Sequence, residues 1–88
     1  MTWAVSFTKP ARKQFSKLSP TDRSRVLKFL HERVVPHPDP RLLAKRLQAK
    51  TEELWRFRVG DLRIIVQISE GLMTIVVIEI GHRREIYR

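Results

Sequence analysis

Leu54-Trp55-Arg56-Phe57-Arg58-Val59-Gly60-Asp61-Leu62-Arg63-Ile64-Ile65-Val66 is the stretch that decides the fold of this chain. Apolar and basic side chains alternate up to Gly60-Asp61 and resume beyond it, the pattern of two half-buried strands joined by a two-residue hairpin. Such a loop sets Val59 opposite Leu62, Arg58 opposite Arg63 and Phe57 opposite Ile64. Trp55, Phe57, Val59, Leu62, Ile64 and Val66 then share a core face, while Arg56, Arg58 and Arg63 share the other. The assignment is all-or-nothing, because a slip of one residue would send every arginine into the core.

Working outward, the same period of two runs on through Leu62 to Ser69 and returns in Leu72 to Ile80, with Glu70-Gly71 as a second hairpin signal. Upstream, Trp3, Val5 and Phe7 alternate with Thr2, Ala4 and Ser6, which reads as one more half-buried strand. A helix follows from near Thr8 to Pro10, with an apolar stripe of Ala11, Phe15 and Leu18 and a basic side of Arg12, Lys13 and Lys17. Ser19 then caps a second helix, Pro20 suits its first position, and Asp22 favours the positive end of its dipole. That helix is expected to bury Val26, Leu27, Leu30 and Val34 and to stop before Pro36-His37-Pro38-Asp39-Pro40. Arg41 to Gln48 reads as one or two helical turns carrying Leu42, Leu43 and Leu47. The sum is one α+β domain over residues 1–88: an N-terminal strand, a two-helix hairpin, then an antiparallel three-stranded meander with the helices on one face. The position of the first strand in the sheet is left open.

Composition bounds the function. A chain of 88 residues buries only about 60% of its unfolded surface, so a surface site is expected rather than a deep cavity. The absence of cysteine excludes disulfides and thiolate zinc sites. His31, His37 and His82 lack metal-ligand spacing. The longest apolar run, about ten residues, is well short of the roughly 20 that cross a bilayer. The opening Met1-Thr2-Trp3-Ala4-Val5 lacks the layout of a signal peptide, and a cytoplasmic protein is expected. Eighteen Lys and Arg against nine Asp and Glu give a net charge of +9, which favours polyanions as partners, nucleic acid first and an acidic protein second.

The arginine face carries the sharpest chemical inference. Like charges opposite one another on a sheet cost roughly 0.2–1 kcal/mol per pair, and an anion relieves that repulsion. The planar guanidinium fork suits phosphate in particular. The chain then ends Gly81-His82-Arg83-Arg84-Glu85-Ile86-Tyr87-Arg88. Because the last strand runs antiparallel to its predecessor, this string is expected beside Leu62 and Arg63, where it completes the basic surface. Tyr87 can stack on a base, and His82 is a residue type suited to proton transfer.

The basic strand pair, the closing strand and the Gly-His-Arg-Arg-Glu-Ile-Tyr ending together resemble the RelE family of the RelE/ParE superfamily. These are the toxins of bacterial type II toxin–antitoxin pairs. The resemblance spans essentially the whole chain. Val5-Ser6-Phe7-Thr8-Lys9-Pro10-Ala11-Arg12-Lys13 is similar to the family's first strand and helix start, and Lys45-Arg46-Leu47 to the segment before its sheet. Trp55-Arg56-Phe57-Arg58 and Leu62-Arg63-Ile64-Ile65-Val66 match its basic strand pair. The resemblance implies a metal-independent endoribonuclease, with no cofactor, that enters the ribosomal A site and cuts mRNA through attack by the message's own 2′-hydroxyl. Carried over residue by residue, Arg56 and Arg58 bind phosphate and assist the hydroxyl, and Arg63 holds the scissile phosphate. Arg83 helps the leaving oxygen and Tyr87 orients the substrate, with Lys45, Arg46 and Arg84 as further RNA contacts.

Some family members have lysines where this chain has Arg56 and Arg58. Arginine effectively never gives up its proton, so a lysine general base is unavailable at these positions. His82 is one candidate for proton transfer; the favoured alternative is that the arginines act by stabilising transition-state charge. Glu85 reads as a salt-bridge partner of Arg83 or Arg84. The resemblance also implies an acidic antitoxin that wraps the domain as a toxin–antitoxin hetero-oligomer. Two rival functions remain: a ParE-like gyrase poison, and a non-enzymatic basic nucleic-acid-binding module. An arginine face without an aromatic platform disfavours the second.

Overall fold

In the computed structural model, which describes residues 2–48 and 53–82, the chain folds as a five-stranded sheet with two helices packed on one side. In chain order the elements are β1 (Ala4–Phe7), α1 (Lys9–Ser16), α2 (Pro20–Phe29), β2 (Lys45–Leu47), β3 (Leu54–Val59), β4 (Leu62–Ser69) and β5 (Thr74–His82). The sheet order is β1-β5-β4-β3-β2. β1 lies parallel to β5 at one edge, with Val5 beside Ile75 and Phe7 beside Val77; the remaining neighbours are antiparallel. The first strand therefore joins the last strand of the meander.

Both helices start where the sequence signals them. The Thr8 hydroxyl accepts from the Ala11 N–H at 3.2 Å and the Ser19 hydroxyl from the Asp22 N–H at 3.1 Å, each cap being followed by proline in the first helical turn. Past Phe29 the helix widens into a π turn over Leu30–Val34, closed by the Val35 N–H on the Leu30 carbonyl at 2.9 Å. This turn buries Leu30 and Val34, four residues apart, and its end is tied to the start of the chain by the Trp3 N–H on the Val35 carbonyl. α1 packs on β5 and α2 on β3. The core between them gathers Ala11, Leu18, Val26, Leu30 and Val34 from the helical side and Phe57, Leu62, Ile64, Val66, Ile75, Val77 and Ile80 from the sheet.

Three expectations are corrected. Arg41 to Gln48 is not a helix: only Pro40–Leu43 turns, as a 3-10 segment capped by Asp39, and Lys45–Leu47 is an edge strand on β3. The leucine spacing there mimics a helical stripe, but pairing with Leu54, Trp55 and Arg56 decides the conformation. Leu27 is 52% exposed, because the buried positions of α2 and the π turn repeat every four residues from Val26 and leave Leu27 off that line. The last strand spans Thr74–His82 rather than Leu72–Ile80; its hairpin is a four-residue turn closed by the Met73 N–H on the Glu70 carbonyl at 3.2 Å. Met73, not Gly71, takes the positive φ in that turn.

Candidate nucleic-acid interface

The register of the first hairpin is the one the alternation requires: Val59 faces Leu62, Arg58 faces Arg63 and Phe57 faces Ile64. Gly60 supplies the positive φ of 59° at the turn. Phe57 is fully buried and meets Phe29 of α2 edge-on at 5.4 Å between ring centroids. That contact fixes which side of β3 faces the helices, and so turns Arg56 and Arg58 to the other side. β2 adds Lys45, which pairs with Arg56. Lys45, Arg56, Arg58 and Arg63 thus lie on one face of the sheet, in two neighbouring rows.

These cations differ in their surroundings. Lys45 and Arg58 are exposed, Arg56 is half-buried, and Arg63 is only 5% exposed. The burial of Arg63 was not legible as a property of a solvated basic face. β4 lies inside the sheet, where Arg63 is flanked by Arg58 on β3 and by Gly81 on β5. Taking a guanidinium out of water is expensive unless its donors are engaged, so a buried arginine is held in place rather than free to swing. The Arg56 Nε is buried and has no hydrogen-bond partner among the described residues. Beside these groups a concavity of about 140 Å³ opens, lined by Arg58, Gly60, Asp61, Leu62 and Arg63. Its two arginines suit a phosphate, and Asp61 is the acidic residue in its lining.

The structure separates other residues that sequence reasoning had grouped together. His82 pairs with Leu62, so it faces the helical side, where its Nε2 lies 3.6 Å from the Asp22 carboxylate in the first turn of α2. It is therefore turned away from the arginine face, and the geometry gives no support to proton transfer by His82 there. Arg46 pairs with Trp55 on that same helical side and forms an exposed ion pair with Glu53 at 3.4 Å. Arg83, Arg84, Glu85 and Tyr87 lie outside the described residues. One residue was missed: Glu79 pairs with Ile65 and so shares the face of Arg63, diagonally across from it. Its signal was its parity with Gly81 along β5. Among the described residues no group of three His, Cys, Asp or Glu side chains gathers to hold a metal.

Residues 5–87 match the family model described as "ParE toxin of type II toxin-antitoxin system, parDE". The chain belongs to the RelE/ParE toxin superfamily. Within it, the chain is 28% identical over 88 residues to Toxin RelG of Mycobacterium tuberculosis (strain ATCC 25618 / H37Rv), covering 100% of this chain and 99% of that relative. Its fold superposes on the toxin–antitoxin complex RelBE2 of M. tuberculosis with a TM-score of 0.83 at 25% identity, over 94% of this chain and 100% of that one. The archaeal RelE–RelB complex of Pyrococcus horikoshii OT3 shares the RelE/ParE fold, with a TM-score of 0.70 at 24% identity over 97% of this chain and 99% of that one. The expected α+β architecture is thus the RelE/ParE-like fold.

Proposed function

We propose that this chain is the toxin of a type II toxin–antitoxin pair and acts as a ribosome-dependent endoribonuclease on mRNA in the A site. The observation that carries this reading is the opposition of Arg58 and Arg63 across the hairpin, beside a concavity of about 140 Å³. In the proposed reaction the 2′-oxygen attacks the adjacent phosphorus. The P–O2′ bond forms as the P–O5′ bond breaks, leaving a 2′,3′-cyclic phosphate and a 5′-hydroxyl. Negative charge grows on the phosphoryl oxygens in the transition state, and Arg63, buried and fixed, with Arg58 beside it, stabilises that charge. Arg56 and Lys45 engage the neighbouring backbone. Arg83 and Tyr87 are assigned the leaving oxygen and the base stack on the strength of the resemblance alone.

Arginine cannot take the proton of the 2′-hydroxyl, and His82 faces the other way. Glu79 is a carboxylate that the strands bring to the arginine face, and it is one side chain there able to accept a proton. The cytoplasm, the ribosome and an acidic antitoxin complete the proposed setting; relatives of this fold are known as complexes with antitoxins. The family model's own description supports a second reading, a ParE-type gyrase poison. Primer-extension mapping of transcripts after induction separates the two. Cuts at ribosome-bound codons are expected, whereas intact transcripts with inhibited supercoiling would establish the gyrase reading. Binding without either effect would leave a non-enzymatic nucleic-acid module.

A further inference from the structure

Alternation along β5 breaks at one point. Ile75 and Val77 are buried against the helices, and so is Ile80, although an unbroken strand would turn Ile75, Val77, Glu79 and Gly81 to the same side. The pairing with β4 shows where the extra residue enters. Val66 lies opposite Val77 and Ile65 opposite Glu79, which leaves Ile78 as a β-bulge. From there on the parity is reversed. A regular strand would point Glu79 into the core and Ile80 out of it, so the bulge is what sets Glu79 and Gly81 on the arginine face, beside Ile65 and Arg63. The apolar pattern selects this parity, but it does not by itself hold the backbone of the bulged segment.

That segment is also where β5 loses its outer neighbour. β1 runs beside Thr74 to Val77 and ends at Phe7. Groups from the turn and helix that follow take its place along the edge. The Thr8 N–H donates to the Val77 carbonyl at 3.0 Å, and its hydroxyl reaches the Ile78 carbonyl at 3.5 Å. Beyond them the Ile80 N–H donates to Gln14 Oε1 at 2.8 Å, the shortest of the three contacts. Gln14 is half-buried on α1, whereas Arg12, Lys13 and Lys17 of the same helical stretch are exposed. Its amide thus supplies, from a helix 66 residues away in sequence, the acceptor that a neighbouring strand would otherwise give.

We propose that Gln14 is a positioning residue for the arginine face. By holding the Ile80 N–H it fixes the bulged end of β5, and with it Glu79 one residue earlier, a role that rests on the endoribonuclease reading in which Glu79 accepts the 2′-hydroxyl proton. Gln14 lies on the helical side of the sheet and acts through the backbone alone. A carboxylate takes a proton only within hydrogen-bond reach, and a displacement of about 1 Å is enough to spoil the transfer. Binding of the RNA backbone falls to Lys45, Arg56 and Arg58 on β2 and β3 and is left untouched.

The test compares, in the full chain, Gln14→Met, which keeps the size of the side chain and removes the acceptor, with Gln14→Glu, which keeps the acceptor. In amide hydrogen exchange Gln14→Met should speed the Ile80 amide about fivefold relative to the amides of β3, and Gln14→Glu should not. In cleavage of mRNA on ribosomes Gln14→Met should lower kcat about tenfold at unchanged KM, and Gln14→Glu should restore it. In a Glu79→Gln background the same Gln14→Met change should lower kcat by less than about twofold. Equal losses in both backgrounds, an effect confined to KM, or no loss from Glu79→Gln alone would each show that Gln14 does not act through Glu79 and overturn the assignment. Cut transcripts with unchanged Ile80 exchange in Gln14→Met sink the lock and leave the cleavage reading standing. Intact transcripts with the wild type sink the cleavage reading and the catalytic role of Gln14 together, whatever the exchange at Ile80.

Discussion

Gly60→Ala and Gly71→Ala should shift stability in opposite directions, although each glycine sits in a hairpin of the same sheet. At Gly60 φ is +59°, and a Cβ built there would meet only the Arg25 Nη1 at 3.6 Å, an ordinary contact with a movable side chain. Sterics against neighbours are therefore not the issue; the backbone conformation is. An L-residue held in the left-handed region costs roughly 1–2 kcal/mol. Restricting the unfolded chain returns about 0.4–1 kcal/mol. The net destabilisation is about 0.5–1.5 kcal/mol. For 88 residues the unfolding entropy is about 0.19 kcal/mol/K, so 1 kcal/mol moves Tm by about 5 °C. Gly60→Ala should thus lower Tm by about 3–8 °C. At Gly71 the φ is not positive and nothing lies within 4 Å of a built Cβ, so only the unfolded-state gain remains. Its replacement should raise Tm by about 2–5 °C. Thermal unfolding followed by far-UV circular dichroism on both variants decides the matter. Two shifts of the same sign would refute the assignment of the strained position to Gly60.

Arg58→Ala and Arg63→Ala should each abolish growth arrest on induction while the purified proteins keep wild-type circular dichroism; an unfolded Arg63→Ala would mean that the buried guanidinium is structural. His82→Ala should leave the pH profile of cleavage unchanged, because the imidazole faces Asp22 rather than the arginines; loss of a titrating limb would overturn that placement. Glu79→Gln should lower the cleavage rate without weakening RNA binding, and an unchanged rate would exclude it as the proton acceptor. The Asp39 carboxyl is held below its usual value of 3.8, chiefly by a hydrogen bond from Arg41. A depressed carboxylate contributes stability that is present above its unfolded pKa and is lost as pH falls through the folded one. The small deficit of Asp39→Asn in urea unfolding should therefore be constant near neutral pH and vanish on acidification below about pH 3.8.

Much of the fold was legible because it is local. The hairpin register followed from a two-residue turn and strict alternation, which leave no second solution once Phe57 must be buried. What escaped was decided between distant segments. Lys45–Leu47 is three residues long and carries no alternation of its own; it is a strand because β3 offers an open edge. Arg63 shares its parity with Arg58 but not its exposure, a difference that alternation along the strands does not encode. His82 was close to legible. Had the last strand been extended two residues past Ile80, alternation would have put both on the core side.

The parallel pairing of β1 with β5 bears on when the protein becomes a toxin at all. Thr8 reaches the Ile78 carbonyl across seventy residues, and among the described residues β1 has no other strand beside it. During synthesis the N-terminal strand therefore waits, unpaired, until β5 leaves the ribosome. Such long-range closure is slow compared with helix formation. The arginine face is also completed last, because β5 supplies the neighbour of Arg63. That delay gives an antitoxin an interval in which to meet the chain before its sheet is complete.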